Sequence, residues 1–69
     1  MKFSISQQIE EVERELVYRR DVYARLVSSG KLRQSIADYQ TDRMKAVLKT
    51  LEFVRDNEQR IKDMLLEGT

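Results

Sequence analysis

The second half of the chain carries apolar residues at alternating spacings of three and four positions, from residue 37 to residue 65. Two interleaved rows form this seam: Ala37, Met44, Leu51 and Leu65, interrupted at Glu58, and Gln40, Val47, Val54 and Ile61. Such spacing is typical of a long helix that packs along its length, as in a coiled coil. The pattern predicts one continuous helix over about 35–66.

The first half of the chain predicts a second amphipathic helix, over about 5–29. Its apolar face is formed by Ile5, Ile9, Val12, Leu16, Tyr23 and Leu26, with Arg19 in the same row. Ser4 and Gln7 have the spacing of a capping box, and Ser35 and Asp38 suggest another at the start of helix 2. Gly30 is suited to the left-handed position that ends helix 1, so the turn is expected at 30–34.

A short connection between two amphipathic helices predicts an all-α fold, an antiparallel two-helix hairpin that forms a single domain over 1–69. Helix 2 is longer by roughly 10 Å at 1.5 Å per residue, and Gly68 and Thr69 are expected to fray. Because apolar residues extend beyond the seam, we expect a homodimer that forms a four-helix bundle. Its expected interface consists of Leu48, Ile61, Met64 and Leu65. The alternative is a monomer that uses the same surface to bind another protein.

The composition of the chain narrows the classes of function. A chain of 69 residues seldom builds a core worth more than about 3–5 kcal/mol unless disulfides, a metal or oligomerisation help. There is no Cys and no His, no Gly-rich phosphate loop, and the carboxylates lie on helix surfaces beside basic residues. We therefore expect no enzymatic activity, no metal and no cofactor. No membrane span or signal peptide is visible, which favours a cytoplasmic protein.

Charge is unevenly distributed along the predicted hairpin. Residues 19–49 hold eight basic and three acidic residues, a net charge of +5, whereas the other residues hold five basic and nine acidic residues, a net charge of −4. The turn end is therefore basic and the end with both termini is acidic. Candidate partner- or anion-binding residues at the basic end are Arg19, Arg20, Tyr23, Arg25, Lys31, Arg33, Tyr39 and Arg43.

These Arg and Tyr side chains have three possible roles. They could hold phosphates and stack on bases, or they could form a protein-binding patch, since Tyr and Arg are enriched at hot spots. They could also be solvated charges, with Tyr23 in the core. Arg19 is expected to pair with Glu15 or Asp42, or to extend its guanidinium to the edge of the seam. A site for an anion around Arg19, Arg43 and Tyr23 is the sharper hypothesis.

Phe53 lies in line with Tyr39 and Ala46 at a spacing of seven residues, on the back of helix 2. Partial burial in a dimer, or simple exposure, would account for this position. The alternative is that Phe53 belongs to a second contact face for a partner protein.

Four segments carry a family resemblance: IEEVERE at 9–15, VYARLVSSGKL at 22–32, Ala37-Asp38, and MKAVLKTL at 44–51. Over roughly residues 5–55 the chain resembles a group of short helical-hairpin proteins encoded by bacteriophages and prophages. It departs from that group at Ala24, where a Pro is common, and at Leu26, where an aromatic is frequent.

The resemblance implies a phage or prophage accessory protein in the bacterial host cytoplasm. Such a protein would act by binding a host or phage protein, and inhibition of a host-defence protein is one form of this. Two alternatives stay open. One is nucleic-acid or nucleotide binding through the basic turn end, and the other is a structural or assembly role in a phage particle.

Overall fold

The computed structural model describes residues 3–67, and these residues form three α-helices and no strand. Helix α1 is Ile5–Ser28, α2 is Gln34–Asp56 and α3 is Glu58–Glu67. Helix α1 packs against α2, and α2 contacts α3. The prediction of an all-helical chain is confirmed, whereas the frayed tail predicted at 68–69 lies outside the described residues.

Both ends of α1 are formed by the predicted local signals. The Gln7 N–H donates to the Ser4 hydroxyl oxygen at 3.1 Å, and the Ser4 N–H donates to the Gln7 side-chain oxygen at 2.9 Å, which completes a capping box. At the other end Gly30 has φ +76°. The Gly30 N–H donates to the Val27 carbonyl at 3.1 Å and the Lys31 N–H to the Leu26 carbonyl at 2.9 Å, the two bonds of a Schellman motif.

The second capping box, predicted at Ser35, is wrong. Helix α2 begins at Gln34, and Arg33 occupies the N-cap position without a side-chain cap. Ser35 therefore lies inside the first turn, where its hydroxyl is no longer at the capping position. The Asp38 carboxylate instead accepts a hydrogen bond from the Gln34 side-chain amide at 2.8 Å.

A single helix over 35–66 is also wrong, because the chain leaves helical geometry at Asn57 (φ −115°, ψ 14°). The Asn57 side-chain amide donates to the Phe53 carbonyl at 2.8 Å, and the Asn57 N–H donates to the same oxygen at 3.0 Å. A short polar side chain that bonds its own backbone in this way competes with helix formation. The Ile61 N–H still donates to the Asn57 carbonyl at 2.9 Å, so the four-residue register continues from α2 into α3.

The molecule is long and narrow, with extents of 54 × 20 × 16 Å. Helices α2 and α3 placed end to end would be about 50 Å long at 1.5 Å per residue, so α3 extends roughly along the direction of α2. The radius of gyration is 16.5 Å, compared with about 11 Å for a compact domain of this length. Among the described residues only Ile9 and Ala37 are buried, so the core between the helices is thin.

The buried face of α2 is rotated relative to the predicted seam. Val47, expected in the seam, is 45% exposed, whereas Thr41, Leu48 and Glu52 are half-buried. The guanidinium of Arg19 reaches across to α2 on the side where Val47 lies, and Val47 lines an open groove beside it. Arg19 and Val47 therefore lie beside the same groove at the edge of the seam.

Candidate binding surfaces

Arg19 connects α1 to α2 at the edge of the seam. Its Nε donates to the Glu15 carboxylate at 2.8 Å, and its Nη1 donates to the Gln40 backbone carbonyl at 3.2 Å. The hydrogen bond to Glu15 raises the pKa of Arg19 above its ordinary value. The predicted pairing with Glu15 is confirmed, and it leaves Arg19 with its charge already compensated within the chain.

Arg43 lies on the same side of the seam as Arg19. Its guanidinium carbon is 5.5 Å from the centre of the Tyr39 ring, a distance at which a cation–π interaction is favourable. A groove of about 220 Å³ is lined by Arg19, Gln40, Arg43, Met44 and Val47. The structure therefore brings two of the three residues of the hypothetical anion site to one groove.

Tyr23, the third residue of that hypothesis, lines a different groove of about 290 Å³. The lining of this groove is Arg20, Tyr23, Ala24, Val27, Gln34, Ala37, Asp38 and Thr41. Tyr23 is half-buried between the helices, although it is near enough to Arg19 to contribute to the raised pKa of that guanidinium. Tyr23 is thus a residue of the seam, and it does not complete the groove of Arg19 and Arg43.

The turn end presents basic side chains that are not neutralised within the described chain. Arg20 pairs with Asp21 at 3.4 Å, both largely exposed. Arg25, Lys31 and Arg33 are exposed, and within residues 3–67 none of them forms an ion pair. This end therefore offers uncompensated positive charge to a partner.

The back of α2 carries an exposed aromatic face, which we define as Tyr39, Ala46 and Phe53. Tyr39 is 60% exposed and Phe53 is 63% exposed. The spacing of seven residues places all three on one side of the helix. Phe53 therefore remains largely exposed within the described residues, and its role as a contact residue stays a prediction.

The four residues predicted for an oligomer interface lie in three different settings. Leu48 is half-buried in the seam between α1 and α2, and Ile61 is half-buried on α3. Met64 and Leu65 are 68% and 67% exposed. Within the described residues α3 contacts α2 and not α1, so its apolar side chains extend past the packed part of the molecule.

Several exposed apolar and aromatic residues are missing from the predicted surfaces, among them Tyr18, Ile36 and Val47. Ile36 and Val47 are eleven residues apart, which is close to three helical turns. Their spacing therefore predicts that both residues lie on the same side of α2. This signal was obscured because Val47 also fits the spacing of the seam. Only the structure shows that Val47 lies largely outside the packed face.

The described residues show no arrangement suited to metal binding. No group of three His, Cys, Asp or Glu side chains in residues 3–67 is placed to hold an ion. A concavity of about 560 Å³ at the start of α1 is lined by Phe3 and by polar side chains of α1 alone. No helix within residues 3–67 is long and apolar enough to cross a bilayer.

Comparisons with known proteins find no matching family model, no similar curated protein and no similar solved structure. Three surfaces are largely exposed within the described chain: the aromatic face, the basic turn end, and Met64 with Leu65 on α3.

Proposed function

We propose that this chain is a non-enzymatic binding protein. In this proposal α1 and α2 form an antiparallel hairpin, two copies associate as a four-helix bundle, and the dimer binds another protein. The observation that carries the proposal is the large apolar surface left uncovered around a core in which, among the described residues, only Ile9 and Ala37 are buried.

The accessible surface of the chain supports association. It amounts to 5918 Å² for a mass of 8.2 kDa, whereas a compact monomer of that mass would expose about 4,500 Å². The excess, about 1,400 Å², is larger than the roughly 800 Å² that one partner buries in an interface of standard size. The chain thus has enough excess surface for an interface of standard size with a second copy.

The aromatic face is the surface best suited to a protein partner. Tyr and Arg are enriched among residues that dominate binding energy, and Arg43 stacks on Tyr39 at the edge of this face. The resemblance to phage and prophage proteins supports a host protein of the bacterial cytoplasm as the partner, and a defence protein is one such candidate.

Light scattering tests the dimer. We expect a mass of twice 8.2 kDa, which falls towards that of one chain on dilution. A mass of 8.2 kDa at every concentration, with helicity unchanged, would refute the dimer.

Affinity purification from bacterial cells tests the partner surface. We expect Tyr39→Ala and Phe53→Ala to lose a protein that the unmodified chain captures. Tyr18→Ala is the matched control, because Tyr18 is an equally exposed aromatic on the other helix. Equal capture by all variants would exclude the aromatic face as the contact surface.

Nucleic-acid binding is a second candidate, favoured by the uncompensated charge of Arg25, Lys31 and Arg33. It requires an affinity for nucleic acid that falls steeply as salt concentration rises. Replacement of Arg20, Arg25 and Arg33 by Glu should abolish that binding. Retention of binding by this variant would exclude the basic turn end as the nucleic-acid site.

A further inference from the structure

We propose that the two copies of the dimer lie antiparallel, so that α3 of each copy covers the turn end of the other. This inference rests on the dimer proposed above and adds its orientation and contact face. Three observations carry it: the opposite charges of the two ends, a second apolar stripe on α2 and α3, and the symmetry of that stripe.

The charges favour the antiparallel arrangement. The segment 19–49 has a net charge of +5 and the other residues have a net charge of −4. A parallel dimer would place the two basic ends side by side, where like charges repel. An antiparallel dimer places the basic turn end of one copy beside the acidic end of the other. The uncompensated bases of the turn end would then lie towards the end of the partner that carries more acidic than basic residues.

One side of α2 and α3 carries a stripe that borders the buried face and shares five residues with the seam predicted from the sequence; we call it the lateral stripe. Its members are Ile36, Gln40, Arg43, Val47, Val54, Glu58, Ile61 and Leu65. At 3.6 residues per turn they fall within an arc of about 60°. The hydrogen bonds from Asn57 to Phe53 and from Ile61 to Asn57 keep this alignment across the junction between α2 and α3.

The lateral stripe is only partly covered in the single chain. Ile36 and Val47 are each 45% exposed, and Leu65 is 67% exposed. Arg43 and Glu58 are also exposed, while Gln40, Val54 and Ile61 are half-buried. A face of this kind, apolar with two opposite charges, can be buried by a copy of itself.

The stripe is self-complementary when it is reversed. The midpoint of residues 34–67 lies between Thr50 and Leu51. About that point, antiparallel alignment brings Ile36 level with Leu65 of the second copy, and Val47 level with Val54. Both alignments place an apolar residue against an apolar residue. The stripe therefore has the self-complementarity that an isologous two-fold interface requires.

The same alignment also pairs the charges of the stripe. It brings Arg43 of each copy level with Glu58 of the other, and it brings Gln40 level with Ile61. Within one chain Arg43 and Glu58 are about 22 Å apart along the helix axis at 1.5 Å per residue, so they cannot pair with each other. A parallel dimer would instead bring Arg43 against Arg43.

A charge exchange tests this alignment. Arg43→Glu and Glu58→Arg should each weaken the dimer about tenfold, because each change creates two symmetry-related like-charge contacts. The double variant should restore the affinity, since it rebuilds both pairs with the charges reversed. Arg60→Glu is the control, because Arg60 is exposed on α3 but lies off the stripe. A double variant that is weaker than both single variants would overturn the alignment.

Distances between spin labels test the orientation directly, because the chain contains no Cys and single labelling sites can be introduced. Ser35→Cys marks the turn end and Arg60→Cys marks α3, and both positions are exposed. In the antiparallel dimer two labels at position 35 should be about 45 Å apart. A mixture labelled at 35 in one copy and at 60 in the other should give a distance of about 20 Å.

Light scattering on the same labelled samples separates the two possible failures, and circular dichroism establishes that they are folded. A dimer mass with a distance below about 25 Å between the position-35 labels would overturn the antiparallel orientation and leave the dimer standing. A monomer mass would overturn the proposed dimer, and the orientation with it.

Discussion

At the scale of single residues, Arg19 is a charged side chain that connects α1 to α2 at the edge of the seam. It lies in the apolar row of α1, yet its guanidinium bonds Glu15 and the carbonyl of Gln40. The Arg19 side chain is 23% exposed, so its guanidinium keeps contact with water. The rest of the side chain occupies space at the seam. Val47 lines the groove beside Arg19 and is 45% exposed, so it is available to the lateral stripe.

Substitution of Arg19 should separate the contribution of its packing from that of its charge. Arg19→Ala should lower the free energy of unfolding by about 1 kcal/mol, because both packing and hydrogen bonds are lost. Arg19→Leu should leave it unchanged or raise it, because an apolar side chain completes the row and Glu15 can be hydrated instead. Urea denaturation at fixed protein concentration measures both. Equal losses for Ala and Leu would mean that the polar contacts dominate.

Gly30 allows a second test at this scale. Its φ of +76° is in the left-handed region, and a Cβ added there would meet no atom within 4 Å. Gly30→Ala should therefore cost about 1 kcal/mol through backbone strain alone. Gly30→Asn should cost less, because Asn tolerates this region better. Thermal unfolding of the two variants checks the order, and an Ala variant as stable as the unmodified chain would contradict it.

At the scale of elements, signals between near neighbours in the sequence were sufficient to predict α1. The capping box and the Schellman motif each depend on residues within six positions of one another, so their residue types determine the geometry. Asn57 carried a similar signal, as a poor helix former in a long helix, but the apolar spacing on both sides outweighed it. Arg19 and Arg43 line one groove, whereas Tyr23 lines another. This distribution depends on how α1 and α2 pack against each other, and the spacing of residues in the sequence does not determine it.

The junction at Asn57 should be removable. Asn57→Ala deletes the side chain that bonds the Phe53 carbonyl and introduces the best helix former. We expect a gain of about 0.5 kcal/mol in the free energy of unfolding and a stronger helical signal in circular dichroism. Gln59→Ala, at a fully helical position of α3, is the control for the change in propensity. If both variants gain equally, the side-chain bond of Asn57 is not the cause of the junction.

At the scale of the whole molecule, the thin core and the long shape have the same origin. Two packed helices can bury only one side of each, and α3 extends beyond the end of α1. The apolar residues left exposed would be a liability for a monomer, since exposed apolar patches promote association. Antiparallel pairing would cover the lateral stripe and leave the aromatic face accessible, so one small chain could both dimerise and bind a partner.

The proposed dimer should therefore depend on residues that the single chain does not need for folding. Leu65→Glu should weaken association at least about 100-fold, because two apolar contacts are lost and two carboxylates are buried. Ile36→Glu should have a similar effect, because Ile36 is the residue that lies level with Leu65 of the second copy in the proposed alignment.

Sedimentation equilibrium measures the association constant, and circular dichroism at low concentration shows whether each monomer is still helical. Arg60→Glu is the control for the added negative charge, because Arg60 lies off the lateral stripe and its replacement should leave association unchanged. If Leu65→Glu reduced helicity as strongly as association, Leu65 would be required for folding, and the assignment of this residue to the interface would fail.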